Sequence, residues 1–416
     1  MNILFVCEYD WFKSVVFDIH ILAEGLSLLG NRVYVVDYEW DEGSGIRLKN
    51  VELGDASRIH PSARVTLERP GFIRIQLKQS KFIRLMGVEF ASTLITHFSE
   101  IRKIIKEKKI DVIVLYSVLV NGWTSIHFAN KFGIPVVFRN IDMLHFLPPN
   151  PLKRIVTHLF EKIVYSRVDS LLALTPSYKN YLIKQGAASS KIKLLLFPID
   201  TSCFRTGIDC YEQRNELGFS ENDRIIVMMG TLYRFSGLNE FINCFPELLI
   251  HVPDAKLLIV GDGPLRPELE ATISKLKLTD KVIITGYQPF AKMPQYINMA
   301  TICINSYSFN SDTNNLFSAK IVQYLACGKA TVSTALPGIT TLIPNESCGV
   351  IYAQNAEEMV KKVEELLKSP EILAKLGQAG IEYVRQHHDS ELIVKQLEGD
   401  LLQAIKTKSV RKKAEK

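Results

Sequence analysis

The chain is predicted to be α/β, with two doubly wound parallel-sheet domains in succession. Three observations predict this. Its 416 residues exceed what one hydrophobic core usually serves. Short apolar, β-branched runs recur along both halves, as suits strands covered on both faces. Helix-length segments separate those runs, which implies right-handed βαβ crossovers.

In the first half the strand runs are NILFVC (2–7), RVYVVD (32–37), DVIVLY (111–116), IPVVFR (134–139), SLLAL (170–174) and IKLLLF (192–197). In the second half they are RIIVMMG (224–230), AKLLIVG (255–261), KVIITG (281–286), ATICIN (300–305), ATVST (330–334) and CGVIY (348–352). Between the two sets lies FPIDTSCFRTGIDCYEQRNELG (197–218), where periodicity lapses and turn residues gather. The expected bounds are 1–200 for the first domain and 201–388 for the second. A closing helix over 389–405 is expected to cross back to the first domain, followed by a basic tail at 406–416. Leu392, Ile393, Leu397, Leu401, Leu402 and Ile405 fall at helical spacing there.

Hydrophobic residues make up 47% and charged residues 23%, ordinary for a soluble globular protein. No apolar run approaches the ~18 residues that span a bilayer. The start, MNILFVCEYD, lacks the basic region and cleavage site of a signal peptide and reads as a first strand. Seven scattered cysteines suggest reduced thiols, not a disulfide frame or a zinc site. The expectation is a cytoplasmic protein, peripheral at the inner face of a membrane. The net charge of +6 sits mostly in Lys406–Lys416, with six basic residues and one acid, leaving about +1 elsewhere. A nucleic-acid partner, which wants a basic stripe on a folded surface, is disfavoured. The segment 69–109 holds ten Lys or Arg against three Glu, interleaved with aromatics and aliphatics. It reads as a strand and amphipathic helices on the first sheet, or as a face for an anionic membrane.

Ligands of doubly wound sheets bind outside the carboxyl ends of strands, so the loops there come next. GTLYRFSGLNEF (230–241) has Gly230 and Gly237 for a tight turn into a helix whose N-terminus would face an anion, with Arg234 as counter-charge. The alternative is a plain βα turn with an exposed arginine. GDGPLRPELE (261–270) places Gly261 and Gly263 where a backbone or a ligand comes close. No G-x-G-x-x-G follows any strand, which disfavours a nicotinamide or flavin enzyme. His20, His127 and the pair His387–His388 lack metal-ligand spacing with acids or cysteines, and no metal site is expected. At the end of the 134–139 strand, Arg139, Asn140, Asp142 and His145 are candidates, or else a strand-end turn with an Asp cap.

GTLYRFSGL, KLLIVGDGP, KVIITGY, MPQYINMATICINS and FSAKIVQYLACGKATVSTALPG, in this order, resemble the donor half of retaining glycosyltransferases of family four. The likeness is strong over roughly 224–352, and only general at MNILFVC and GNRVYVVD. It implies the GT-B architecture, two Rossmann-like domains facing across a cleft. It implies a nucleotide-sugar donor against the second domain, a glycolipid or polysaccharide acceptor at the first, and neither cofactor nor metal besides. The base would stack near Tyr287 and the diphosphate would lie over Gly230. The family's two glutamates fall on Asn315 and Gln323, and its loop arginine and lysine fall on Thr231 and Ser236. Lys320 is retained, and Arg234 is placed to replace a lost cation. Leu316 and Phe317, beside Asn315, join the donor-binding set. A neutral amide in place of a carboxylate costs ~1.5–3 kcal/mol of binding, a penalty and not an abolition. Front-face transfer needs no protein nucleophile, so the residues bet on for chemistry are Asn315, Arg234, Lys320 and Asp142. Two other readings stay open: a non-catalytic partner of an active transferase, and a nucleotide-sugar epimerase or hydrolase.

Overall fold

A computed structural model describes residues 1–8, 10–37, 51–53, 56–69, 98–146, 150–309 and 313–414. The chain forms two compact units, Met1–Leu196 with Glu391–Lys416, and Phe197–Ser390.

The first unit carries β1 (Asn2–Val6), β2 (Arg32–Val36), β3 (Val51–Leu53), β4 (Val65–Arg69), β5 (Val112–Leu115), β6 (Val136–Asn140), β7 (Ser170–Ala173) and β8 (Ile192–Leu194). They pair in the order β3-β4-β2-β1-β5-β6-β7-β8. Every pair is parallel except β3 with β4. All six runs read as strands in this half are strands. The two additions, β3 and β4, lie at one edge, where Val65 and Leu67 are buried beside half-buried Thr66. Alternation of that kind fits an edge better than a covered central strand.

Ile3, Phe5, Leu22, Val35, Val114, Val137 and Leu172 are fully or almost fully buried in one core. Ile393, Val394, Leu397 and Leu401 of the helix Ser390–Ala414 close it. Gly25 lets that helix approach, since a Cβ there would stand 2.5 Å from a Val394 methyl. The Asn31 amide donates to Glu398 at 2.6 Å and Lys193 to Asp400 at 2.7 Å. This helix runs on to Ala414, through most of the expected basic tail 406–416. Lys408 binds Asp169 at 3.0 Å and Asn130 at 3.2 Å, and Lys412 reaches the Phe132 carbonyl at 3.5 Å. These cations hold the helix to its own unit. Most of the basic segment 69–109, residues 70–97, lies outside the described residues, and 98–107 are helical.

The second unit carries β9 (Arg224–Met229), β10 (Ala255–Val260), β11 (Val282–Ile284), β12 (Ile302–Asn305), β13 (Thr331–Thr334) and β14 (Val350–Ala353). Their order is β11-β10-β9-β12-β13-β14, all parallel. In chain order this is 3-2-1-4-5-6, the Rossmann arrangement. The helix Leu238–His251 buries Leu238, Phe241, Ile242, Phe245 and Leu248 on that sheet. Each such side chain contributes roughly 1.5–3 kcal/mol.

Candidate active site

Strand order locates the site of the second unit. β9 and β12 are neighbours, and the chain leaves them toward opposite sides, which opens a crevice at their carboxyl ends. Two loops meet there. The loop after β9 leads through Gly230 to Gly237, which starts the helix Leu238–His251. The loop after β12 leads through Ser306, Tyr307 and Ser308 to the helix Ala319–Ala326. Ser308 N–H donates to the Phe235 carbonyl at 3.0 Å. The Ser306 hydroxyl donates to the Ser236 carbonyl at 2.9 Å. Gly237 has φ of 66°, which favours glycine, and a Cβ there would crowd the Tyr307 backbone at 3.1 Å.

Lys320 lies across the first of these loops. A Cβ on Gly230 would be 3.1 Å from Lys320 Cδ and 3.2 Å from its Nζ. The Lys320 ammonium sits 4.9 Å from the centre of the Tyr307 ring. Tyr307 stacks on Phe235 at 6.2 Å, and Phe235 on Tyr233 at 5.1 Å. An aromatic ladder thus holds the ammonium by a cation–π contact. Among the described residues, exposed Arg234 has no hydrogen bond or ion pair. The two helix starts have no side-chain cap. Ser318, which would cap the second, donates instead to Asn305 Oδ1 at 2.7 Å. Lys320 thus lies over Gly230 at the start of one uncapped helix, and the loop that carries Gly230 and exposed Arg234 leads into another, features that suit an anion. Tyr307 escaped the sequence reading. The signal was there: it follows the fourth of six strands, whose loop the Rossmann order sets beside the first.

The other predicted residues divide. Gly261 and Gly263 admit a backbone, not a ligand. Gly261 has φ of 155°, and a Cβ there would collide with the Gly230 carbonyl oxygen. A Cβ on Gly263 would stand 2.6 Å from the Leu232 carbonyl oxygen. Leu232 N–H donates to Asp262 O at 3.0 Å, and Leu265 N–H to Leu232 O at 2.9 Å. The GDGP turn thus fixes the Gly230 loop from behind. Thr231 is exposed, and Ser236 is buried with a hydroxyl that has no partner among the described residues. Tyr287 is 66% exposed, without a ring contact among them. Half-buried Asn315 and Leu316 pack their backbone on Gly338, whose N–H donates to Asn314 O at 2.8 Å. Gln323 is buried on the helix that carries Lys320, three residues on and so on the same side. Neither the Asn315 nor the Gln323 amide has a side-chain hydrogen bond among the described residues. Phe317, expected as a donor contact, stacks on His388 with centroids 6.1 Å apart.

In the first unit Arg139 is corrected. It is no site contact but a buried brace. Its guanidinium pairs with Asp18 at 2.8 Å and donates to the Leu195 carbonyl at 2.5 Å. Asn140 donates to the Asp142 carbonyl at 2.8 Å. The Asp142 carboxyl has no hydrogen-bond partner among the described residues. Burial, and then the charge of Asp18, push it up to about 7. His145 Nδ1 lies 2.8 Å from Glu161 Oε2 and 2.9 Å from the Tyr181 hydroxyl. His145, His158 and Glu161 have ligand atoms within 4.8 Å of one another, a grouping with metal-ligand chemistry. Glu161 is already occupied by protein, since Tyr165 donates to its other oxygen at 3.1 Å.

The Glycosyltransferase Family 4 profile matches residues 19–202, and the Glycosyl transferases group 1 profile matches 210–383. The chain belongs to the family 4, group 1 glycosyltransferases. This glycosyltransferase is 22% identical over 376 residues to a phosphatidylinositol N-acetylglucosaminyltransferase subunit of Arabidopsis thaliana, covering 88% of the chain and 74% of that protein. It is 21% identical over 396 residues to alpha-monoglucosyldiacylglycerol synthase of Acholeplasma laidlawii, covering 88% and 87%. HepE of Anabaena, solved in complex with UDP, superposes with a TM-score of 0.72 at 14% identity, covering 97% of this chain and 100% of the other. That likeness is one of fold: two Rossmann-like units of the GT-B class. No helix among the described residues is long and apolar enough to cross a membrane.

Proposed function

We propose that this glycosyltransferase moves a sugar from a nucleoside diphosphate sugar to a hydroxyl of a lipid-linked or polysaccharide acceptor, retaining the anomeric configuration. The observation that carries the reading is Lys320 lying over Gly230 at an uncapped helix start, with exposed Arg234 on the same loop and without a partner among the described residues. The diphosphate binds there. The bond from the anomeric carbon to the leaving phosphate oxygen breaks, and the bond to the acceptor oxygen forms on the same face. The acceptor's proton passes to the leaving diphosphate. Lys320 and the backbone N–H groups stabilise the charge growing on that group, already oriented before reaction. The reaction needs no cofactor besides the donor, because these groups supply the positive charge.

Asn315 faces the donor sugar and Gln323 holds the ribose, each as a neutral stand-in for the family's glutamate. Asp142 accepts a hydrogen bond from the acceptor hydroxyl once ionised. Two relatives whose names are those of glycolipid enzymes support a lipid acceptor. The protein then works as a peripheral protein at the cytoplasmic face of a membrane, without a nucleic-acid partner.

A thermal-shift screen of nucleoside diphosphates and their sugars tests this. The matching ligand at ~100 times its dissociation constant should stabilise the fold by ~2.7 kcal/mol. If none raises the melting temperature, the reading fails. If donor is consumed as fast without acceptor as with it, the protein is an epimerase or hydrolase.

A further inference from the structure

A helix lying on a sheet normally turns its apolar stripe inward. The helix Pro151–Arg167 of the first unit shows a second apolar stripe outward as well. Its buried residues are Thr157, Glu161, Val164 and Tyr165. Outward it shows Leu152 at 69%, Ile155 at 60% and Leu159 at 54% exposure, with Val156 also exposed. Half-buried Phe160 and Ile163 continue the stripe toward the C-terminus. Exposed Phe146, in the turn just before, extends it at the other end. Asn150 caps the helix from Leu152 N–H and Lys153 N–H, so the stripe begins on a fixed first turn.

We propose that this outward stripe is the surface by which the protein seats on an anionic lipid bilayer. The proposal rests on the lipid-linked acceptor argued above and gives it a place of delivery. A contiguous exposed apolar patch marks an interaction surface. The charges around it name the cover. Lys153, Lys162 and Arg167 are exposed on the same helix. Their long stems can run along the stripe and leave the heads at its margins. The one acid of the helix, Glu161, is buried and bonded to His145 and Tyr165, so the outward side carries no negative charge. Arg167 also lies 5.3 Å from the ring centre of half-exposed Trp123, a side chain suited to a water–lipid boundary. An apolar stripe edged by cations, about 18 Å long by helix rise from Leu152 to Ile163, complements a flat negative surface.

Flotation of the full chain with vesicles tests the proposal. Vesicles of phosphatidylcholine alone are compared with vesicles containing phosphatidylglycerol. Wild type should bind the anionic vesicles at least ~10-fold more tightly, and salt should weaken that binding. The exposed triple variant Leu152→Ser, Ile155→Ser, Leu159→Ser should lose at least ~10-fold in vesicle affinity while binding nucleoside diphosphate as wild type does. The double variant Lys153→Ala, Lys162→Ala should lose the salt-sensitive part alone. A triple variant that floats like wild type overturns the proposal. So does equal binding of wild type to both vesicle types. A wild-type dimer in light scattering that the triple variant dissolves assigns the stripe to a second copy and also overturns it. Vesicle binding as expected, with no nucleoside diphosphate binding by any variant, leaves the seat standing and removes the transferase reading.

Discussion

The two units wind their sheets alike yet treat charge at their strand ends in opposite ways. At the carboxyl end of β6, Arg139 is buried against Asp18 and three backbone carbonyls. At the end of β9, Arg234 and Lys320 make no ion pair among the described residues, and Lys320 rests on an aromatic ring. A buried cation bonded to a carboxylate and three carbonyls is a brace. An accessible cation without an anion, beside uncapped helix starts, is a binding group. Topology alone did not distinguish the two, and only the partners did.

The sharpest way to break this contrast is to remove one cation from each region. Arg139→Ala should destabilise the protein by ~3–5 kcal/mol, because it leaves Asp18 buried and unpaired. Arg234→Ala should change stability by less than ~0.5 kcal/mol. Urea unfolding followed by circular dichroism measures both. If the two variants unfold alike, the distinction between brace and binding group is wrong.

Acid should act on both units, because each holds a buried neutral histidine. Burial lowers His20 and His388 to about 4. Their folded values lie below the unfolded value near 6.5, so the unfolded chain binds more protons between those limits. Stability is fully present above about 6.5 and falls as pH drops toward 4, by ~3 kcal/mol for each histidine. His388→Gln should remove its share of that slope. An unchanged slope in the variant would show that His388 is not held neutral.

Asp142 shifts the other way, and it sharpens what the first unit contributes. Its carboxyl ionises near 7, so an acceptor contact that needs the carboxylate strengthens as pH rises through that value. The kcat/KM for acceptor should show a rising limb near pH 7, and Asp142→Asn should flatten it and cost about tenfold above it. A limb that survives in the variant assigns the titration elsewhere. The smallest expected effect is a gain. Gln323→Glu gives the ribose hydroxyls a charged acceptor and should tighten nucleoside diphosphate binding about tenfold. A weaker or equal affinity removes Gln323 from the ribose site.

Much of this contrast was legible in the sequence, and the rest was hidden for identifiable reasons. Strands buried on both faces announce themselves as apolar runs, and all twelve runs so read are strands. β3 and β4 escaped because an edge strand needs no such run. The Gly230 loop and Lys320 were readable from the order of several motifs. Arg139 was misread because its partner Asp18 lies 121 residues away, and long-range pairing leaves no local mark. The same blindness hid the outward apolar stripe of Pro151–Arg167. Helical spacing shows that a stripe exists, not which way it faces. Gly261 and Gly263 were recognised as points of close approach, but only coordinates say that the approaching groups are the Gly230 and Leu232 backbone.

Isothermal titration of a nucleoside diphosphate into wild type and Lys320→Ala, at matched and low ionic strength, tests the central claim most directly. The account predicts saturable one-site binding by wild type. It predicts a ~10- to 100-fold loss in Lys320→Ala, the worth of one charge-assisted bond, with unfolding stability unchanged. Equal affinity in the two proteins would contradict it, because the diphosphate would then lie somewhere other than over Gly230.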